Sequence, residues 1–159
     1  MVDVQYGDGA DSTPHELTEF YRRLGHTLAA QPEQIRKMIK KSTALVTARV
    51  DGRLVGLARG VSDGIRGYLT ECKLDPSYQG PGCVTRTDGR VEHDTHGIAR
   101  EMAARVLDAL FADGVQRVDT VAYGTELDFC EELGFKRNGG LVGVTLLAPD
   151  WAGVTKPVS

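Results

Sequence analysis

The dipeptide Asp51-Gly52 separates two runs rich in aliphatic and β-branched residues, "TALVTARV" (43–50) and "RLVGLARGVS" (53–62). Asp-Gly readily adopts the positive φ angles of a two-residue hairpin turn, so the two runs are predicted to form antiparallel strands. A second turn at Ser62-Asp63-Gly64 leads into "IRGYLTECKLDP" (65–76), a third strand stopped by Pro76, which has no N–H for a ladder. A meander of three strands before residue 76 needs helices to cover it.

The sequence supplies those helices. In "STPHELTEFYRRLGHTLAA", Thr13 stands three residues before Glu16 as a capping box, and Pro14 presets the first turn. Leu17, Phe20, Tyr21, Leu24 and Leu28 then recur on one helical face. "QPEQIRKMIKKS" predicts a shorter helix with Ile35, Met38 and Ile39 inward; Arg36, Lys37, Lys40 and Lys41 form its solvated side. "THGIAREMAARVLDALFADG" is the most regular helical stretch, with Ile98, Met102, Val106, Leu107 and Leu110 on one face and Gly114 as C-terminal cap. "VQRVDTVAYG" is read as a strand, "TELDFCEELG" as a short helix and "GLVGVTLLA" as a last strand. This order predicts an α+β (mixed α/β) fold, a central mostly antiparallel sheet flanked by helices, with one domain over 1–148 and a loose tail over 149–159.

Composition narrows the function. The 159 residues suffice for one buried core. A formal net charge of -3 provides no basic field, so neither nucleic acid nor an acidic membrane is an expected partner. Cys72, Cys83 and Cys130 are odd in number and form no CxxC pair, which argues against a disulfide framework or zinc knuckle and suits a reducing compartment. The N-terminus has no cationic start followed by an apolar run, so a cytoplasmic location is expected.

Three segments together resemble the GCN5-related N-acetyltransferase superfamily: "RVDGRLVGLARGVSDG", "LDPSYQG" with "GIAREM", and "FCEELGFKR". The resemblance spans roughly residues 15 to 147. It implies transfer of acetyl from acetyl-coenzyme A to the amine of a small molecule and, by analogy, a homodimer. The family loop reads Gln or Arg, two residues, Gly, one residue, then Gly or Ala, and runs directly into a helix whose first amides hold the pyrophosphate. Here Gln79-Gly80-Pro81-Gly82 matches its first half and Gly97-Ile98-Ala99-Arg100 its second. The resemblance therefore implies cofactor contacts at Gln79, Gly80, Gly82, Gly97, Ile98, Ala99 and Arg100, and an acetyl oxygen held by the backbone N–H near Leu74.

Residues 83–96 interrupt that loop. "VTRT-DG-RVEH" predicts a small β-hairpin over 84–93 around Asp88-Gly89. Its support must come from the domain, a ligand or a second subunit. Pro81 removes one N–H from the loop, and Val84 stands where the family has Gly or Ala.

Several residues are candidates for the chemistry. Glu71 shares a strand face with Lys73 and occupies a place where family members often carry the carboxylate that draws a proton from the amine; an ion pair with Lys73 is the alternative. Cys130 replaces the proton-donating tyrosine of the family's "FYEKLGF" segment, although a cysteine on an apolar short helix is more often a small buried hydrophobe. Tyr123 is a substitute donor. Glu92-His93-Asp94-Thr95-His96 gathers titratable groups, with His93 and His96 as acid–base candidates and Thr95 as a helix cap. No third ligand joins the two histidines, so no metal is expected. Two further functions stay open: a protein of this fold using another acid–base reaction without acetyl-coenzyme A, and a non-catalytic binding module.

Overall fold

The computed structural model describes residues 2–25, 31–80 and 88–153. Five strands form one sheet in the order β1-β2-β3-β4-β5: β1 Gln5–Asp8, β2 Ala44–Val50, β3 Arg53–Ser62, β4 Arg66–Leu74 and β5 Arg117–Asp119. The first four are antiparallel, and β5 lies parallel to β4. Asp51 and Gly52 close the β2–β3 hairpin with φ of 51° and 77°. At the next turn the Asp63 carboxylate accepts from the Ile65 and Arg66 amides at 2.9 and 2.8 Å, which fixes where β4 begins.

Two helices cover one face of the sheet. α1 (Pro14–Arg23) and α2 (Pro32–Lys41) enclose Leu17, Phe20, Tyr21, Leu24 and Ile35 against Leu45, Leu54 and Leu57. Thr13 Oγ1 accepts from the Glu16 amide at 3.1 Å, which is one half of the expected capping box; the Glu16 carboxylate turns to Arg49 instead of back to the cap. α3 (Ile98–Ala112) covers the opposite face with Ile98, Met102, Val106 and Leu110, while Leu107 is only half-buried. α3 lies very close to β3: a Cβ at Gly56 would come within 2.7 Å of Met102, and one at Gly60 within 2.9 Å of Val106 and Leu110. The short α4 (Leu127–Glu132) adds Phe129 and Cys130 to this second core.

Three sequence expectations need correction. β1 is an additional strand: its four residues lack a β-branched alternation, yet pair with β2 from Gln5↔Arg49 to Asp8↔Val46. The strand expected over 115–124 is confined to Arg117–Asp119. The last strand expected over 140–148 does not form; Leu141, Val142, Val144, Leu146 and Leu147 are exposed, because β-propensity yields a strand only where an edge is paired.

Glu16 fastens the first helix to the sheet. Its carboxylate receives both guanidinium Nη atoms of Arg49 on β2, at 2.5 and 2.6 Å. Those hydrogen bonds hold the Glu16 pKa below the usual carboxylate range. The stabilisation is present above the ordinary carboxylate pKa and is lost as the pH falls through the depressed one. Glu16→Gln is expected to cost about 1 kcal/mol at neutral pH, the upper range for a partly exposed ion pair. Urea titrations at pH 7 and pH 3 test this: the difference from the native chain should be smaller at the lower pH.

Candidate active site

β4 and β5 pair only from Arg66↔Arg117 to Tyr68↔Asp119. The Thr120 hydroxyl then donates to the Leu69 carbonyl at 2.8 Å. On its other side β4 carries a bulge: Glu71 opposes Arg59 and Leu69 opposes Gly60, so Thr70 has no partner residue. The bulge reverses the alternation of side chains. Leu69 and Leu74 join the core beneath α3, whereas Glu71 turns toward α1.

There Glu71 is largely enclosed. The Tyr21 hydroxyl donates to Glu71 Oε1, and the Arg59 guanidinium lies 3.5 Å from the same oxygen. Burial, reinforced by the carboxylate's charge, pushes the Tyr21 pKa up, so the phenol stays a proton donor in this contact. Lys73 is buried and its Nζ donates to the Asp88 carbonyl at 2.8 Å. Desolvation pushes the Lys73 pKa down, opposed by Glu71.

Residues 88–94 lie against the end of β4. The Leu74 N–H donates to the Gly89 carbonyl at 2.9 Å, and Lys73 and Arg90 form an antiparallel bridge. The Arg90 guanidinium stands 3.8 Å from the centre of the Tyr123 ring, pairs with Asp88 and lies 3.7 Å from Glu126. Val91 is fully buried in the core beneath α3. Gln79, only 4% exposed, holds this limb with both ends of its amide. Its Nε2 donates to the Leu74 and Arg90 carbonyls, each at 2.9 Å; its Oε1 accepts from the Glu92 and His93 amides at 3.0 and 3.2 Å.

The limb then reaches the start of α3. The Asp94 carboxylate accepts from the Ala99 amide through one oxygen and from the Arg100 amide through the other, both at 2.9 Å. Asp94, not the expected Thr95, caps the helix, because its longer carboxylate spans the turn formed by Gly97 at φ 72°. The Thr95 amide instead donates to the Gln79 carbonyl at 3.0 Å.

No family model and no curated protein matches the chain. Solved structures do. A GNAT-family acetyltransferase from Streptococcus pneumoniae aligns with TM-score 0.62 at 18% identity, covering 91% of this chain and 98% of that one. Aminoglycoside N-acetyltransferase AAC(6')-Iy, in complex with CoA, gives 0.64 at 14%, over 92% and 95%. Glucosamine-6-phosphate N-acetyltransferase from Arabidopsis thaliana gives 0.66 at 9%, over 90% and 98%. The fold is that of the GCN5-related N-acetyltransferases.

Against that family's loop, three of the donors expected for acetyl-coenzyme A are engaged by the chain itself. The Leu74 N–H is given to Gly89, and the Ala99 and Arg100 amides to Asp94. A pyrophosphate brought to α3 would meet a carboxylate of like charge. Gln79 is buried and turned to the limb, and Ile98 is fully buried. Gly80 sits at φ 149°, where a Cβ would come within 2.3 Å of Thr95 Oγ1. In this arrangement the residues do not fit the cofactor. A signal for it was available: Asp94-Thr95-His96-Gly97-Ile98-Ala99 has the GNAT loop spacing, with Asp in place of Gln or Arg.

The remaining candidates are dispersed. Gly82 and residues 84–87 of the expected hairpin lie outside the described residues. The described half of that hairpin forms no strand, only the bridge to Lys73, because Gln79 takes its amides and carbonyl. Tyr123 is half-exposed beneath Arg90, and His93 and His96 are exposed before α3. Cys130 is buried, which pushes its thiol pKa up and keeps it protonated at neutral pH. An open cleft of about 1410 Å³ lies beside β5, lined by Tyr68, Asp119, Cys130 and Leu141, and does not include Glu71 or Leu74.

Gln79→Leu keeps the volume and abolishes all four hydrogen bonds. Two carbonyls and two amides would be left to find water, so a loss of about 3 kcal/mol is expected. Thermal unfolding of the variant measures it; a change within 0.5 kcal/mol, roughly that of an ordinary surface substitution, contradicts the role.

Proposed function

We propose that the protein is an N-acetyltransferase acting on the amine of a small molecule, with Glu71 as the base and with acetyl-coenzyme A as donor in an arrangement where residues 88–94 have left the Leu74, Ala99 and Arg100 amides. The observation that carries this reading is the Glu71 carboxylate itself, turned by the β4 bulge toward α1 at the point where β4 leaves β5. A carboxylate enclosed in this way is positioned to take the proton of an amine arriving from the side of α1, directly or through one water. Tyr21 and Arg59 fix its orientation from two directions. Names of the structural neighbours support the substrate class: one acts on aminoglycosides, another on glucosamine-6-phosphate.

The test is amine-dependent release of free thiol from acetyl-coenzyme A across a panel of small amines. Glu71→Gln is expected to lower kcat/KM by about a hundredfold, the usual weight of a general base. Equal rates for native and variant chains would remove Glu71 from the reaction, and no release with any amine would remove the reading.

A homodimer belongs to the same proposal, supported by the exposed row Leu141, Val142, Val144, Leu146 and Leu147. Light scattering at micromolar concentration should return twice the chain mass of 17.2 kDa; a monomer mass rejects it.

A further inference from the structure

We infer that residues 88–94 are an internal occupant of the acetyl-coenzyme A cleft, so that cofactor binding requires this limb to withdraw. The inference rests on the acetyltransferase reading above, since only that reading assigns the cleft a cofactor. Two contacts at separate ends of one short segment carry it. Near β4 the Gly89 carbonyl takes the Leu74 N–H, the donor expected for the acetyl carbonyl. At α3 the Asp94 carboxylate takes the Ala99 and Arg100 N–H groups, the donors expected for the pyrophosphate. Each replacement is chemically like for like: carbonyl oxygen for carbonyl oxygen, anionic oxygens for anionic oxygens.

The limb is built to stay. Gln79 satisfies two carbonyls and two amides around it, Val91 is sunk in the core, and Arg90 lies over Tyr123 between Asp88 and Glu126. These contacts are absent from the loop pattern of the family, in which the glycine turn runs straight into the helix. They make the closed arrangement the resting one. Apparent affinity for the cofactor is then reduced by the small fraction of molecules in which the limb is away.

Releasing one end should therefore raise affinity without adding any contact to the ligand. Asp94→Ala frees two helix amides and removes the opposing charge, while Gln79 and Val91 still support the fold. Deletion of residues 83–96, joining Gly82 to Gly97, restores the uninterrupted loop. Calorimetric titration of the full-length native chain, Asp94→Ala and the deletion variant with acetyl-coenzyme A is the measurement, with circular dichroism to establish that each is folded. The expected result is Kd at least tenfold lower for Asp94→Ala than for the native chain. Equal affinity of native and Asp94→Ala chains would overturn the occupant and leave the acetyltransferase reading standing. Absence of binding by all folded chains, the Asp94→Ala variant included, would overturn both.

Discussion

The buried side-chain amide of Gln79 joins the end of β4 to the segment that leads into α3. It lies one turn beyond β4, and its carboxamide offers two N–H donors and an oxygen able to accept twice, which matches the two carbonyls and two amides around it. Its Nε2 binds the last carbonyl of β4 and the carbonyl of Arg90, and its Oε1 binds the amides of Glu92 and His93. Its backbone carbonyl also receives the Thr95 amide. The route of the chain from Asp88 to α3 is thereby determined from one point. That route places Gly89 against Leu74, Val91 in the core and Asp94 at the helix start. A residue that resembles a cofactor-loop glutamine in sequence thus acts, in the fold, as the clasp of the segment lying in that loop's place.

The second organising feature is the bulge at Thr70. In a regular strand Leu69, Glu71 and Lys73 would share a face, and one of the two helical layers would receive a carboxylate and an ammonium in its core. One unopposed residue separates them: Leu69 and Leu74 go to α3, Glu71 to Tyr21 and Arg59. The close seat of α3 depends on Gly56 and Gly60, whose missing side chains leave room for Met102, Val106 and Leu110. Close packing on one face and an enclosed polar cluster on the other follow from the same few residues of β3 and β4.

The sheet and its covering helices were legible wherever local chemistry dictates geometry. Asp51-Gly52, Thr13 with Pro14, and the spacing of Leu17, Phe20 and Tyr21 each bring their own explanation, and each appears in the fold. Elements whose existence depends on a distant partner were not legible. β1 forms because β2 offers an edge, although Gln5–Asp8 has little strand character of its own. The segment 140–148 has that character and no partner among the described residues, so it stays irregular. For the candidate site, the place of Glu71 on β4 was legible. Its partners Tyr21 and Arg59 were not, because nothing local connects residues 21, 59 and 71.

The cofactor loop was the hardest to read for a different reason. A glycine-rich turn leading into a helix states where unpaired amides will be, but says nothing of what fills them. A helix start attracts any anion, and a carboxylate a few residues upstream that can reach it competes at an effective concentration on the order of millimolar. Asp94 is such a carboxylate, three residues before the glycine that opens α3. In the family pattern the same position is Gln or Arg, neither of which brings a negative charge to the helix amides. The exchange of that single residue type, together with a segment long enough to carry Gly89 back to β4, turns a site for an external anion into one that the chain satisfies by itself. Pattern matching registers the glycines and passes over the aspartate; hydrogen-bond accounting, donor by donor, reverses that emphasis.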